Sequence, residues 1–280
     1  MKVLILGSTG MLGHILSDYL TKLNKYNIYN LSRSSSNQKK LFICDVLDKK
    51  NLKKIIIEIK PEVIINCIGL LNDDAYKNPQ IANLINSILP NYLIDISKNL
   101  KFKLIQISTD CVFSGETGNY NEYSFKDAKD IYGKTKANGE FDLKGHLTLR
   151  TSFIGPDLNK DGKGLFQWIM KQNGKVKGFS NVIWTGVTSL ELSKAIDYAI
   201  SNNIDGIWNL TNEKTISKYK LLKKIVKEFR LLNITVEKFS KYKSDKSLKS
   251  KRKIDYKVPD YNSMLRELKE YYILNKNSYI

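Results

Sequence analysis

A short β-prone run, residues 2–6, breaks directly into Gly7-Ser8-Thr9-Gly10-Met11-Leu12-Gly13, and a stretch with helical periodicity starts at residue 14. Strand, glycine turn and helix in that order constrain the chain more than any other feature, because each part has a physical task. Glycine lets the chain turn tightly and lets its backbone come close to a pyrophosphate, while the helix start offers free amides and a partial positive charge. A dinucleotide is therefore expected on Gly7, Thr9, Gly10, Met11, Leu12 and Gly13. The spacing is GxxGxxG, not the GxGxxG of many dehydrogenases, and its place between the first strand and the first helix is what gives it weight.

The following residues continue the alternation. β-Prone runs at 28–31, 41–44, 63–67, 104–108 and 147–150 are separated by helical patterns such as 14–23, 52–59 and 81–100, the last despite Pro90. This predicts an α/β fold, a doubly wound parallel sheet of the Rossmann type over residues 1–155. Residues 156–280 lose the regular alternation but keep amphipathic helical patterns near 218–229 and 262–272. They are expected to form a smaller C-terminal α/β substrate lobe, with segments returning to the first domain. No repeat or low-complexity linker separates the two.

Composition narrows the class. The 280 residues carry a formal net charge of +18, which raises the question of nucleic acid, but the lysines lie along the whole chain among many Asn and Ile residues. That is background, not a recognition patch, and nucleic acid is not the expected partner. One denser basic run, 241–257, contains Lys251, Arg252 and Lys253. Three widely separated cysteines, Cys44, Cys67 and Cys111, suit reduced thiols, and His14 and His146 have no ligand spacing around them, so no metal is expected. No apolar run approaches the roughly 20 residues that span a bilayer. A cytoplasmic chain without a membrane partner is the expectation.

The cofactor side can be read further. About 20 residues beyond the glycine loop, NAD-binding folds place an acid on the adenosine ribose; here Ser32-Arg33-Ser34 stands instead. An acid would repel a 2′-phosphate, whereas a guanidinium between hydroxyls can hold one, so NADPH is expected over NADH. Asp45-Val46 after the third strand should meet the adenine edge, and Cys67-Ile68-Gly69 after the fourth should pass beneath the cofactor. For chemistry, Tyr132 and Lys136 stand four apart, on one face of a helix. A tyrosine beside an ammonium can serve as acid and base. Such pairs also arise by chance among 16 tyrosines: Tyr219/Lys223, Tyr242/Lys246 and Tyr272/Lys276 have the same spacing. Only Tyr132 follows a strand ending in Ser108-Thr109-Asp110, which would bring a hydroxyl and a carboxylate to the cofactor crevice.

Taken together, GSTGMLG, STDCVFSG, YGKTK and LRTSFIG resemble the extended short-chain dehydrogenase/reductases, and within them the dTDP-4-dehydrorhamnose reductase group. The resemblance extends from Met1 to about Gly155 and is loose beyond. It implies Thr109 as hydroxyl partner of a substrate carbonyl, Tyr132 as proton donor, and Lys136 as the lysine that binds ribose and lowers the tyrosine pKa. Asp110 and Cys111 would lie along the sugar of a nucleotide-diphosphate sugar. Cys111 stands where the group usually has an aromatic ring, and residues 181–186, NVIWTG, depart from its Pro-Thr pattern. Arg252, with Lys251 and Lys253 beside it, is the candidate for the diphosphate. The implied activity is NADPH-dependent reduction of a nucleotide-linked 4-keto-6-deoxy sugar in cell-surface polysaccharide synthesis. A nucleotide-sugar epimerase or dehydratase of the same fold, or a non-catalytic subunit like the regulatory subunit of methionine adenosyltransferase, stays open, as does a homodimer.

Overall fold

The structure, a computed structural model, describes residues 1–159 and 161–279. Its strands are β1 (Lys2–Leu6), β2 (Asn27–Ser32), β3 (Leu41–Ile43), β4 (Val63–Asn66), β5 (Lys103–Ser108), β6 (Leu147–Arg150), β7 (Phe153–Ile154), β8 (Gly174–Trp184), β9 (Val187–Thr188), β10 (Gly206–Asn209), β11 (Ile216–Ser217) and β12 (Ile234–Asp245). The helices are α1 (Gly13–Lys22), α2 (Lys49–Ile59), α3 (Asn72–Lys77), α4 (Pro79–Asn83), α5 (Leu89–Leu100), α6 (Ile131–Asn138), α7 (Leu165–Met170), α8 (Ser189–Ser201), α9 (Lys218–Glu228) and α10 (Tyr261–Leu274).

Seven strands form one parallel sheet in the order β10-β6-β5-β4-β1-β2-β3. Strand order reverses between β1 and β4, so the crevice for a ligand opens outside the carboxyl ends of these strands. Strands such as β4, Val-Ile-Ile-Asn, are buried on both faces, as a parallel sheet covered by helices requires. One face packs on α1, α8 and α10 through Val3, Ile5, Ile15, Leu16, Ile196 and Leu265. The other packs on α2 and α5 through Leu4, Ile56, Leu93 and Leu104.

The expected helix over 81–100 is continuous but changes pitch. Pro90 has no N–H for the Asn86 carbonyl, and the turn just before it, Leu84–Ile88, widens to π geometry. The seventh strand, β10, was not legible as a strand; it is short, four residues, and among the described residues pairs only with β6. Residues of the second half also form a three-stranded sheet, β11-β8-β12, in which β8 and β12 run parallel. No helix among the described residues is long and apolar enough to cross a membrane.

Candidate active site

The glycine loop leaves β1 at Gly7, whose φ is +76°, and α1 begins at Gly13. A Cβ at Gly13 would collide with the Gly7 carbonyl oxygen, so only glycine lets the helix start this close to the strand end. Leu12 offers α1 no side-chain cap and its first turn has no acid. Apart from the His14 amide, which donates to the Gly10 carbonyl at 3.1 Å, the helix-start amides are thus left for an external anion. Ser8 is clasped by Gln38, which donates from Nε2 to the Ser8 carbonyl at 2.8 Å while accepting from Ser8 Oγ at 2.8 Å. Thr9, Gly10 and Met11 form the outer part of the loop. Ser32 ends β2 in a buried position, whereas Arg33 and Ser34 are exposed, and Arg33 has no hydrogen bond or ion pair to the described residues. Asp45 is exposed and accepts from the Leu47 amide at 2.9 Å; Val46 is buried against α2. Cys67, Ile68 and Gly69 follow β4 directly, with the Ile68 amide donating to Asn66 Oδ1 at 3.1 Å.

The candidate catalytic wall stands at the ends of β5 and β4. After Ser108 the chain turns through a 3-10 segment, Asp110–Val112, capped by Thr109, whose Oγ1 accepts from the Cys111 amide at 3.1 Å and donates to Asp110 Oδ1 at 3.2 Å. Helix α6 is capped by Asp130, which accepts from the Gly133 amide at 2.7 Å. Its first turn lies on the 110–112 turn: a Cβ at Gly133 would strike the Cys111 carbonyl oxygen. That contact brings the buried Tyr132 phenol beside Thr109, whose hydroxyl favours the ionised form, although burial is stronger and pushes the phenol well above its ordinary 10. Lys136, one turn on, is buried; its Nζ donates to the Ile107 carbonyl at 2.6 Å, and a Cβ at Gly69 would stand 3.9 Å from it. Burial brings its pKa down to about 8 against the pull of Glu140 and Cys67. The expected tuning of Tyr132 downward by Lys136 is not what this state has: burial dominates, and the ammonium is turned to Ile107.

Several residues here carried no signal in the sequence. Asn86, in the π turn, accepts from the Leu70 amide at 2.9 Å and donates to the Leu70 carbonyl at 3.0 Å and to Thr135 Oγ1 at 3.1 Å, tying the β4 loop to α6. Behind Ser108, Glu140 and Arg150 form a buried bidentate pair at 2.7 and 3.0 Å, and Arg150 Nη1 donates to Asn209 Oδ1 at 3.1 Å. From the second half, Lys218 and Lys246 act on Asp110, whose pKa burial raises and these two ammonium groups lower. Cys111 beside them is pushed up to about 12 by burial, as is Cys67. Arg252 corrects an expectation. Its Nη1 donates to the Asp205 carbonyl and, at 3.1 Å, to that of Ile207. Gly206 pairs with Leu147 at the start of β6, so the guanidinium lies at the entering end of the sheet, opposite the Thr109 edge, and is not placed to hold a substrate diphosphate.

With this geometry in hand, similarity to known proteins is informative. The family model of the RmlD substrate binding domain matches residues 1–254. The chain belongs to that family. Among its relatives, methionine adenosyltransferase 2 subunit beta of Xenopus laevis is 32% identical over 165 residues, 57% of this chain and 48% of that protein. The chain thus matches about half the length of that relative. Spore coat polysaccharide biosynthesis protein SpsK of Bacillus subtilis is 26% identical over 251 residues, 85% and 84% of the two chains. The crystal structure of dTDP-4-dehydrorhamnose reductase from Bacillus anthracis in complex with NADP superposes with a TM-score of 0.82 at 23% identity, covering 95% of this chain and 98% of that one. At that identity the likeness establishes the RmlD-type fold.

Proposed function

We propose that this protein is an NADPH-dependent reductase of a nucleotide-linked 4-keto-6-deoxy sugar, a cytoplasmic enzyme of cell-surface polysaccharide synthesis. The observation that carries the reading is the convergence of Thr109, Tyr132 and Lys136 on the carboxyl edge of the sheet, next to a glycine loop with uncapped helix amides. The family membership and the relatives' names, a reductase bound to NADP and a polysaccharide biosynthesis protein, support it.

The residues fit a dinucleotide on observations of the chain itself: uncapped amides at α1, a free Arg33 guanidinium beyond β2, and the Lys136 ammonium beneath Gly69. The α1 amides would hold the pyrophosphate, Arg33 the 2′-phosphate and Lys136 a ribose hydroxyl. NADPH, when bound, supplies the hydride that reduces the keto carbon. Tyr132, kept protonated by burial, gives its phenolic proton to the carbonyl oxygen, so the C=O becomes CH–OH. Thr109 shifts its hydroxyl hydrogen from Asp110 to the same oxygen and orients it. Lys136 moves from the Ile107 carbonyl to the ribose and stabilises the phenolate left behind.

A screen of nucleotide 4-keto-6-deoxy sugars with NADPH, read by cofactor oxidation and product mass, tests the reading; the expected product is heavier by two hydrogens. A nucleotide-sugar epimerase or dehydratase would leave NADPH unconsumed. The similarity to a subunit named beta of methionine adenosyltransferase favours one other reading, a non-catalytic NADPH-binding subunit, which predicts tight cofactor binding with no turnover of any sugar. Light scattering on the purified chain tests the homodimer.

A further inference from the structure

Between α7, β8 and α9 lies a cavity of about 640 Å3 lined mainly by Leu165, Trp168, Val176, Phe179 and Val182, with Lys218 on its wall. Two other lysines line it, and each has a partner: Lys175 is paired with Glu237 at 2.7 Å, and Lys177 lies over the Phe239 ring, 5.0 Å from its centre. Lys218 is different. Its Nζ stands 4.9 Å from the centre of the Trp184 ring and, among the described residues, has no hydrogen bond and no carboxylate within ion-pair distance. It is half-buried, burial depresses its pKa, and on its other side it acts on Asp110 and Cys111 of the catalytic wall. The side chain therefore belongs both to an apolar cavity and to the reaction crevice. Its position is built. Lys218 is the first residue of α9, capped by Ser217, and α9 starts hard against β8 because Gly178 has no side chain: a Cβ there would stand 2.9 Å from Tyr219 Cα and 2.7 Å from Val236 Cγ1.

A partly desolvated ammonium with unfilled donors is costly unless an anion completes it. A nucleotide sugar has the matching order of groups: a flat apolar base, a diphosphate, then the sugar. We infer that Lys218 holds the diphosphate of the substrate, with the base in this cavity and the sugar at Thr109 and Tyr132. This role presupposes the nucleotide-sugar reading and adds the residue that joins its two ends, a task the sequence had suggested for Arg252.

Calorimetric titration of the purified chain with thymidine, dTDP and UDP, for the unaltered protein, Lys218→Gln and Lys218→Arg, tests it. Lys218→Gln should weaken the diphosphate that the unaltered protein binds by about tenfold or more, the scale of one charge-assisted hydrogen bond. Binding of thymidine and of NADPH should be unchanged, and Lys218→Arg should restore most of the diphosphate affinity. With reducible substrate, KM should rise while kcat holds. If Lys218→Gln binds the diphosphate as the unaltered protein does, or loses thymidine equally, the role is overturned while the nucleotide-sugar reading stands. A fall in kcat with diphosphate affinity intact would make Lys218 only a counter-charge for Asp110, which also overturns it. If the unaltered protein binds neither diphosphate, the nucleotide-sugar reading itself fails, and the role with it.

Discussion

Tyr132 and Lys136 share a helix turn but carry opposite risks for the fold. Tyr132→Phe keeps the ring packed near Ala75 and Ala82 and removes only the proposed proton donor. It should lower turnover about 10²-fold or more, with NADPH affinity measured by fluorescence nearly intact. Tyr219→Phe, Tyr242→Phe and Tyr272→Phe should be mild. Lys223 lies over the Tyr219 ring, Tyr242 is exposed on β12, and Tyr272 stacks on Tyr279 with centres 5.0 Å apart. Lys136 is a case where the proposed function opposes stability. Its folded pKa, about 8, lies below the ordinary 10.5, so below pH 8 the folded protein bears the full cost of a buried ammonium. That cost, about 3 kcal/mol from the pKa difference, is relieved as pH rises from 8 towards 10.5, because there the unfolded chain binds more protons. Lys136→Met should therefore raise the melting temperature at pH 7, less the roughly 1 kcal/mol of the hydrogen bond given up to Ile107. The gain should shrink by pH 10, and NADPH affinity should fall at both. Thermal unfolding across that pH range checks the sign. Arg33→Asp should weaken NADPH relative to NADH, and equal affinities in the unaltered protein would remove the basis of the cofactor preference.

At the scale of elements, what the sequence revealed is what repeats along the chain, and what it concealed is what meets across it. Strands β1 to β6 are legible because they carry short β-prone runs, such as Val63-Ile64-Ile65, bounded by helical patterns. The turn after β5 is legible because Ser108-Thr109-Asp110 ends such a run. Arg150 gave no such signal. It reads as a charge at a strand end, yet it is 1% exposed and held by Glu140, 10 residues before it beyond α6, and by Asn209 of β10, 59 residues after it. Arg252 failed for the complementary reason: a basic run suggests a free cation, and only the fold shows two carbonyls of the β10 segment waiting for it. The Glu140–Arg150 pair supplies a prediction. Glu140→Ala leaves the Arg150 guanidinium buried beneath Phe113, 5.0 Å from the ring centre, without its carboxylate. The loss should be about 3–5 kcal/mol, read by urea unfolding. It should also lower the Lys136 pKa further, since Glu140 is the leading group that holds it up.

Across the whole molecule, both halves of the chain contribute to one crevice, where Lys218 and Lys246 act on Asp110, and the chain as a whole carries a net charge of +18. The first half supplies the glycine loop and catalytic wall. The second supplies Lys218 and Lys246 and then returns, through Tyr279, to accept or donate a 3.0 Å hydrogen bond with His14, which bonds the Gly10 carbonyl of the glycine loop at 2.8 Å. Both proposed ligands, NADPH and a nucleotide-diphosphate sugar, are polyanions, so the field of the whole chain should draw them in before any single contact forms. Salt separates this long-range attraction from the contacts. Raising ionic strength from about 0.01 M to about 1 M shortens the screening length from about 30 Å to about 3 Å. The second-order constant kcat/KM should therefore fall steeply over that range, while kcat at saturation, on the proposed roles of the buried Tyr132 and Thr109, should change little. Lys218→Gln offers the control. It should lower kcat/KM at every salt concentration, yet leave most of the salt dependence in place, because one charge among many contributes little to the distant field. A kcat/KM independent of salt would mean that the positive surface has no part in substrate capture, and that the lysine-rich composition is background in function as well as in sequence.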